Sequence, residues 1–318
     1  MTTLSEPTEA DALPAPAPFV EAPRGARSTG PKLVADIFAL TKPRVTLMVI
    51  VTMLGGAWLA VHRIGRAAAP SAAHLAAAVA GTAIVVGSAN ALNMYLERDS
   101  DGLMARTKNR PLPTGRLDPR VALYFGVALG LVSVPLLTFA VNAVTGLLAA
   151  LALVSYVLVY TPLKRRTPTS LLVGAVPGAI PPLIGWTAVT NRIEWPGVLL
   201  FGVMFLWQIP HFLAIATFRC DDYTRAGLKV LPAVRGDRVT RVHIVAYLAA
   251  LVSVSLALVA TGVGGTLYLV SAMVLGALFF AHGTLGLRAG AGVRWARGLF
   301  ATSIVYLVLL FAALMISP

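Results

Sequence analysis

Residues 72–110 read AAHLAAAVAGTAIVVGSANALNMYLERDSDGLMARTKNR, an apolar run that passes without a break into carboxylates and then into lysine and arginine. Crossing the hydrocarbon core of a bilayer takes about 20 predominantly apolar residues in a helix. The stretch 72–96 meets that length, so it is predicted to span a membrane and to deliver an acidic end to one surface. Eight further runs qualify, at 45–61, 121–140, 143–160, 170–189, 197–218, 242–261, 265–287 and 297–316; the first of these is short. The expected fold class is an all-α membrane protein, a bundle of nine transmembrane helices over residues 36–318. Residues 1–35, rich in Pro, Ala, Glu and Ser, are expected to form a disordered cytoplasmic tail, with no apolar stretch long enough for a signal peptide.

Composition agrees. Hydrophobic residues make up 57% of the 318-residue chain and charged residues only 12%, against roughly a quarter charged in soluble domains. The net charge of +13 does not point to nucleic acid, because the bases lie between apolar runs and form no basic face with interleaved aromatics. Cys220 is the single cysteine, which excludes a disulfide framework and a multi-cysteine metal site; it is expected to be a bystander.

Cytoplasmic loops carry an excess of Lys and Arg, and that rule tests the helix count. With the N-terminus cytoplasmic, 23 of the 26 bases fall on the inner side and only Arg63, Arg66 and Arg192 on the outer. Nine spans then put the C-terminus outside. High Ala, Arg and Gly usage points to a bacterial source, hence a plasma membrane.

The acids say more, since orientation hardly depends on them. Asn93, Glu97 and Asp101 follow one another at four-residue intervals, which on a helix aligns them as a ladder of oxygen ligands on one face. Magnesium takes hard oxygens, usually one or two carboxylates plus substrate phosphates. Arg106, Lys108 and Arg110 come next and suit phosphate oxygens. Carboxylates that begin inside an apolar run are costly unless paired or functional, and the buried Asn90 and Asn93 strengthen that reading.

The loop after the sixth span repeats the order in FRCDDYTRAGLKVLPAVRG, residues 218–236: Asp221 and Asp222, then Arg225, Lys229 and Arg235. Both acidic loops follow even-numbered spans and share a membrane face, so they are expected to grip one metal diphosphate. YTPLKRRTP, residues 160–168, brings Lys164 to the same face, where phosphate contact and membrane anchoring are both open. KPR, residues 42–44, reads as a helix start with topology charges. His211 in WQIPHF lies within an apolar run above Asp221, and packing or ligand contact would each account for it. Pro177, Pro181 and Pro182 are expected to kink the fifth span or leave backbone groups to be satisfied by neighbours.

No nucleotide-binding P-loop, zinc-hydrolase or serine-hydrolase motif is present. A transporter would place its charges near the bilayer midplane; here they gather at one surface.

NMYLERDSD with RTKNRPL, then YTPLKRRTP, VGAVPGAIPPLIGW and WQIPHFLAIATFRCDDYTRAGLKVLP resemble the membrane prenyltransferase superfamily of 4-hydroxybenzoate polyprenyltransferase, and within it the branch that farnesylates protohaem IX. The resemblance covers the chain from about residue 35 onward. It implies a helix bundle around a central cavity, with Mg2+ and farnesyl diphosphate at the acidic loops and haem B as acceptor. It further implies a haem A synthase or terminal oxidase assembly downstream. An aromatic quinone precursor is the alternative acceptor, and a polytopic transporter the alternative class.

On this resemblance Asn93, Glu97 and Asp101 hold the metal and, with Asp221 and Asp222, form the catalytic set. Arg106, Lys108, Arg110, Lys164, Arg219, Arg225 and Lys229 bind the diphosphate, and His211 meets the acceptor. The superfamily's second motif, D-x-x-x-D, is not intact: Arg225 stands four residues after Asp221. The second loop is therefore expected to act mainly as a diphosphate clamp.

Overall fold

A computed structural model of the protein describes residues 27–317. Of the expected tail, residues 1–26 lie outside the described residues. Its boundary at residue 35 falls inside a helix, α1 (Gly30–Leu40). Charge pairing explains the difference: Arg116 donates to both carboxylate oxygens of Asp36 at 3.2 Å, and Ser28 adds a hydrogen bond of 2.7 Å. A stretch that reads as polar tail is thereby stapled to the loop after α3.

Among the described residues, nine helices are long and apolar enough to cross a membrane. They are α2 (Pro43–Ile64), α3 (Ala72–Asp101), α4 (Pro119–Phe139), α5 (Ala143–Leu163), α6 (Ser170–Thr190), α7 (Trp195–Phe218), α9 (Leu231–Thr261), α10 (Thr266–Leu285) and α11 (Val293–Ile316). A short helix, α8 (Cys220–Arg225), lies between α7 and α9. The first span is not short after all. Pro43 at its N-terminus supplies a pre-set φ and needs no hydrogen-bonded N–H there, so the helix extends to 22 residues.

Apolar side chains lie on both sides of these helices, as a bilayer permits. Leu131, Phe139 and Ile316 face outward, while Trp186, Tyr268, Phe279 and Tyr306 fill the interior. Interior hydroxyls are paired: the Tyr268 hydroxyl donates to the Ser255 carbonyl, and the Ser255 and Tyr306 hydroxyls lie 2.8 Å apart. With no water in the hydrocarbon core, such pairing is obligatory.

Helix α6, with its three prolines, runs unbroken and is the most enclosed of the spans. It crosses α2 with the two backbones in contact. A Cβ at Gly185 would run into the Met53 carbonyl, and one at Gly56 into the Pro182 carbonyl. Glycine at both positions is what lets the proline-bearing helix sit at the centre of the bundle.

Candidate active site

Helix α3 carries the ladder. Asn90, Asn93, Glu97 and Asp101 descend toward its C-terminal end, and Asn93 and Asp101 are each only 1% exposed. Burying that much polarity requires partners, and each rung has a cation of its own from a different part of the chain. Lys42, just before α2, donates to Asn93 Oδ1 at 3.1 Å; Lys164, just after α5, donates to Glu97 Oε1 at 2.7 Å; Arg110 donates to Asp101 Oδ2 at 2.6 Å.

Helix α5 is shaped to deliver its share. Its last turns, Ser155–Tyr160, are wound as a π-helix, a form that recurs at functional sites because the extra residue re-aims side chains. The Thr161 hydroxyl donates to the Tyr156 carbonyl and accepts from Asn93 Nδ2 at 3.1 Å. Lys164 Nζ lies 4.4 Å from the centre of the Tyr160 ring, a cation–π contact. Asn93 is therefore fixed at both ends of its amide, by Lys42 and by Thr161.

Three bases stand against two carboxylates here. Burial drives the Lys42 ammonium down to about 7, aided by Arg110 and Lys164 and opposed by Glu97 and Asp101. Lys164 goes the other way: burial lowers it, but Tyr160 and the Glu97 carboxylate outweigh burial and hold it above the ordinary lysine range. The arrangement suits an incoming anion, which would relieve the crowding of positive charge.

In the sequence Lys42 reads as a topology charge, Tyr160 only as sharing the membrane face of Lys164, and Tyr156 and Thr161 carry no mark; the structure puts all four at or around the ladder. That KPR and YTPLKRRTP are both read onto one membrane face is the available signal, but nothing in either segment alone sets them against the same helix.

The second acidic loop joins from the side. The Lys229 N–H donates to the Lys164 carbonyl at 2.9 Å, tying α8 and its following turn to the end of α5. Arg219 and Arg225 both pair with Asp222. Burial raises the Tyr223 hydroxyl, while Arg106 from the first loop, Lys164 and Arg219 oppose it, so the two loops share one electrostatic neighbourhood. Asp221 is exposed and, among the described residues, makes no side-chain hydrogen bond. Arg106, Lys108 and Lys229 are exposed at the rim. Burial raises the Cys220 thiol, which suits a bystander.

His211 is not part of this cluster. It lies between α7 and α11, with Nδ1 2.7 Å from the Ser303 hydroxyl and its ring against Trp207 and Phe300.

The ladder fits magnesium. Among the described residues no three His, Cys, Asp or Glu side chains form a ready-made cage, but magnesium needs only one or two carboxylates when phosphate oxygens complete its shell. Each rung oxygen is paired with a cationic nitrogen, the sign of charge that magnesium would also bring.

A family model described as UbiA prenyltransferase family matches residues 48–305. Protoheme IX farnesyltransferase of Sorangium cellulosum (strain So ce56) is 62% identical over 279 residues, covering 85% of this chain and 99% of that protein. Its counterpart in Myxococcus xanthus (strain DK1622) is 50% identical, covering 89% and 95%. Among solved structures, a digeranylgeranylglyceryl phosphate synthase superposes with a TM-score of 0.77 at 15% identity, over 90% of this chain and 98% of that one. A UbiA homologue from Archaeoglobus fulgidus bound to GPP and Mg2+ gives 0.59 at 15% identity, over 88% and 99%.

Proposed function

The chain belongs to the UbiA prenyltransferase family, a family of multi-pass membrane enzymes, and from that premise we propose that it transfers the farnesyl group of farnesyl diphosphate to a vinyl group of protohaem IX (haem B), making haem O and releasing diphosphate. The observation that carries the chemistry is the ladder of Asn93, Glu97 and Asp101 with one cation on each rung. Relatives named protoheme IX farnesyltransferase, alike over nearly their whole length, support haem as the acceptor.

Ionising the allylic carbon–oxygen bond leaves a diphosphate anion and a delocalised carbocation, so whatever stabilises the leaving anion lowers the barrier. Lys42, Arg110 and Lys164 are donors already fixed in a site of low dielectric, and preorganised charge of that kind is the strongest aid to such a step. Asn93, Glu97 and Asp101 would hold magnesium, which when bound adds Lewis-acid stabilisation of the departing oxygens. Arg106, Lys108 and Lys229 at the rim draw the diphosphate in, and Arg219 and Arg225, oriented by Asp222, clamp its outer side with Asp221 beside them. No side chain needs to form a covalent intermediate.

The apolar walls of the spans hold the farnesyl chain and keep water from the cation until the vinyl group attacks it. Water then adds to the resulting haem cation and loses a proton, giving the hydroxyethylfarnesyl product. His211, in its aromatic setting, orients the haem. The acidic loops face the cytoplasm of a bacterial plasma membrane and the C-terminus lies outside. A haem A synthase or terminal oxidase assembly would take up the product.

Purified protein in detergent, given farnesyl diphosphate, magnesium and haem B, is expected to yield a more hydrophobic haem on chromatography. Turnover with an aromatic acid and none with haem would contradict this reading.

A further inference from the structure

The backbone at Lys42 is held in an unfavourable shape. It has φ 49° and ψ 67°, in the left-handed region, immediately before Pro43. A proline pushes the residue before it toward extended backbone, and a Cβ in the left-handed region crowds the next carbonyl. Such a conformation persists only where its surroundings determine it. The other described non-glycine residue with positive φ, Asn191, caps a helix C-terminus, an ordinary place for asparagine; Lys42 likewise follows the end of α1, its N–H on the Ala39 carbonyl at 3.2 Å, but a β-carbon-bearing lysine ahead of a proline is a costly occupant of that place.

Besides the local bonds that end α1, from the Thr41 and Lys42 N–H groups to the Phe38 and Ala39 carbonyls, two side chains hold the turn through a single oxygen, the Thr41 carbonyl. Thr46 Oγ1 donates to it at 2.9 Å and Asn90 Nδ2 at 3.1 Å. Thr46 belongs to α2 and moves with the turn. Asn90 belongs to α3, the helix that bears the rungs, is 4% exposed, and lies one helical turn before Asn93. Its amide is the backbone tie between the turn and the ladder.

We infer that Asn90 is a positioning residue: it locks the Thr41–Lys42 turn in its left-handed form and so aims the Lys42 ammonium at the Asn93 rung, beside which the diphosphate is to bind. Relaxing Lys42 to extended backbone would redirect its Cβ and carry the ammonium away from the rung. The inference rests on the prenyl-transfer reading of this site, and it separates Asn90, which holds the turn, from Asn93, which meets the charge.

The test is a double-mutant cycle on Asn90→Ala and Lys42→Ala, read by farnesyl diphosphate binding, by KM and kcat with haem B, and by melting in detergent; Asn90→Leu, which keeps the branched heavy-atom skeleton, guards against a cavity effect. Loss of one such tie is expected to weaken farnesyl diphosphate binding about five- to tenfold in either Asn90 variant. In the Lys42→Ala background the same Asn90 change is expected to alter binding less than twofold, since the group it aims is gone. Equal effects in both backgrounds, or a lowered melting point with unchanged binding, would overturn the inference. Wild-type protein that binds no farnesyl diphosphate would sink the prenyl-transfer reading and this inference with it, whereas normal wild-type binding with independent effects would sink the inference alone.

Discussion

Lys164 and Glu97, 67 residues apart in sequence, meet at 2.7 Å between the ends of α5 and α3. This pair closes one side of the ladder, and the Tyr160 ring beneath the ammonium limits where it can turn. Because Tyr160 and Glu97 hold Lys164 above the ordinary lysine range against the effect of burial, it stays charged throughout the working pH range.

Lys164→Ala is expected to lower kcat/KM by about 100-fold, the loss that follows from removing a charged partner from a buried site. Lys164→Arg should restore only part of it, because a planar guanidinium can stack on the Tyr160 ring but is too large to sit there and place a compact charge on Glu97 Oε1 as the ammonium does. Steady-state kinetics with farnesyl diphosphate as the varied substrate measure both.

Most of the bundle is legible in the sequence because span length and charge asymmetry are local properties. Nine apolar runs are expected and nine spans are found among the described residues. Boundaries fared less well at Pro43 and at Gly30–Leu40, where a proline start and the Asp36–Arg116 pair extend helices beyond their apolar cores. The ladder could be read because Asn93, Glu97 and Asp101 share one helix face. The cations facing it could not all be read, since Lys42 and Lys164 reach the ladder through tertiary packing. The π-helical winding at Ser155–Tyr160 left no local mark in an ordinary apolar run.

The staple on α1 should respond to acid. Its hydrogen bond from Arg116 holds the Asp36 carboxyl below its ordinary value against the cost of burial, with Ser28 adding to the effect. A carboxyl lowered in the folded state contributes stability above its unfolded pKa, and that contribution is lost as pH falls through the lowered value. Asp36→Asn is expected to cost ~1 kcal/mol at pH 7, seen as a lower melting temperature in detergent. The gap between variant and wild type should begin to narrow near pH 4 and close only once the pH is below the lowered value.

His211 faces Ser303, Trp207 and Phe300 rather than the ladder. His211→Phe preserves the aromatic packing and removes the ring nitrogens. Haem affinity is expected to fall about tenfold or more, the scale of one lost polar contact to the acceptor, while the KM for farnesyl diphosphate stays unchanged. Unaltered haem binding, followed by absorbance titration, would assign His211 to packing alone.

The central claim is that the rungs of α3 drive departure of the diphosphate, and a single-turnover experiment addresses it most directly. Wild-type protein, Glu97→Gln and Asp101→Asn are each mixed with farnesyl diphosphate, magnesium and haem B, and released diphosphate and haem O are quantified together. Wild type is expected to release the two in equal amounts. Both variants should remain folded by melting and gel filtration yet release neither product at a measurable rate. Wild-type rates in both variants would contradict the account, since the carboxylates would then serve only to balance Lys164 and Arg110.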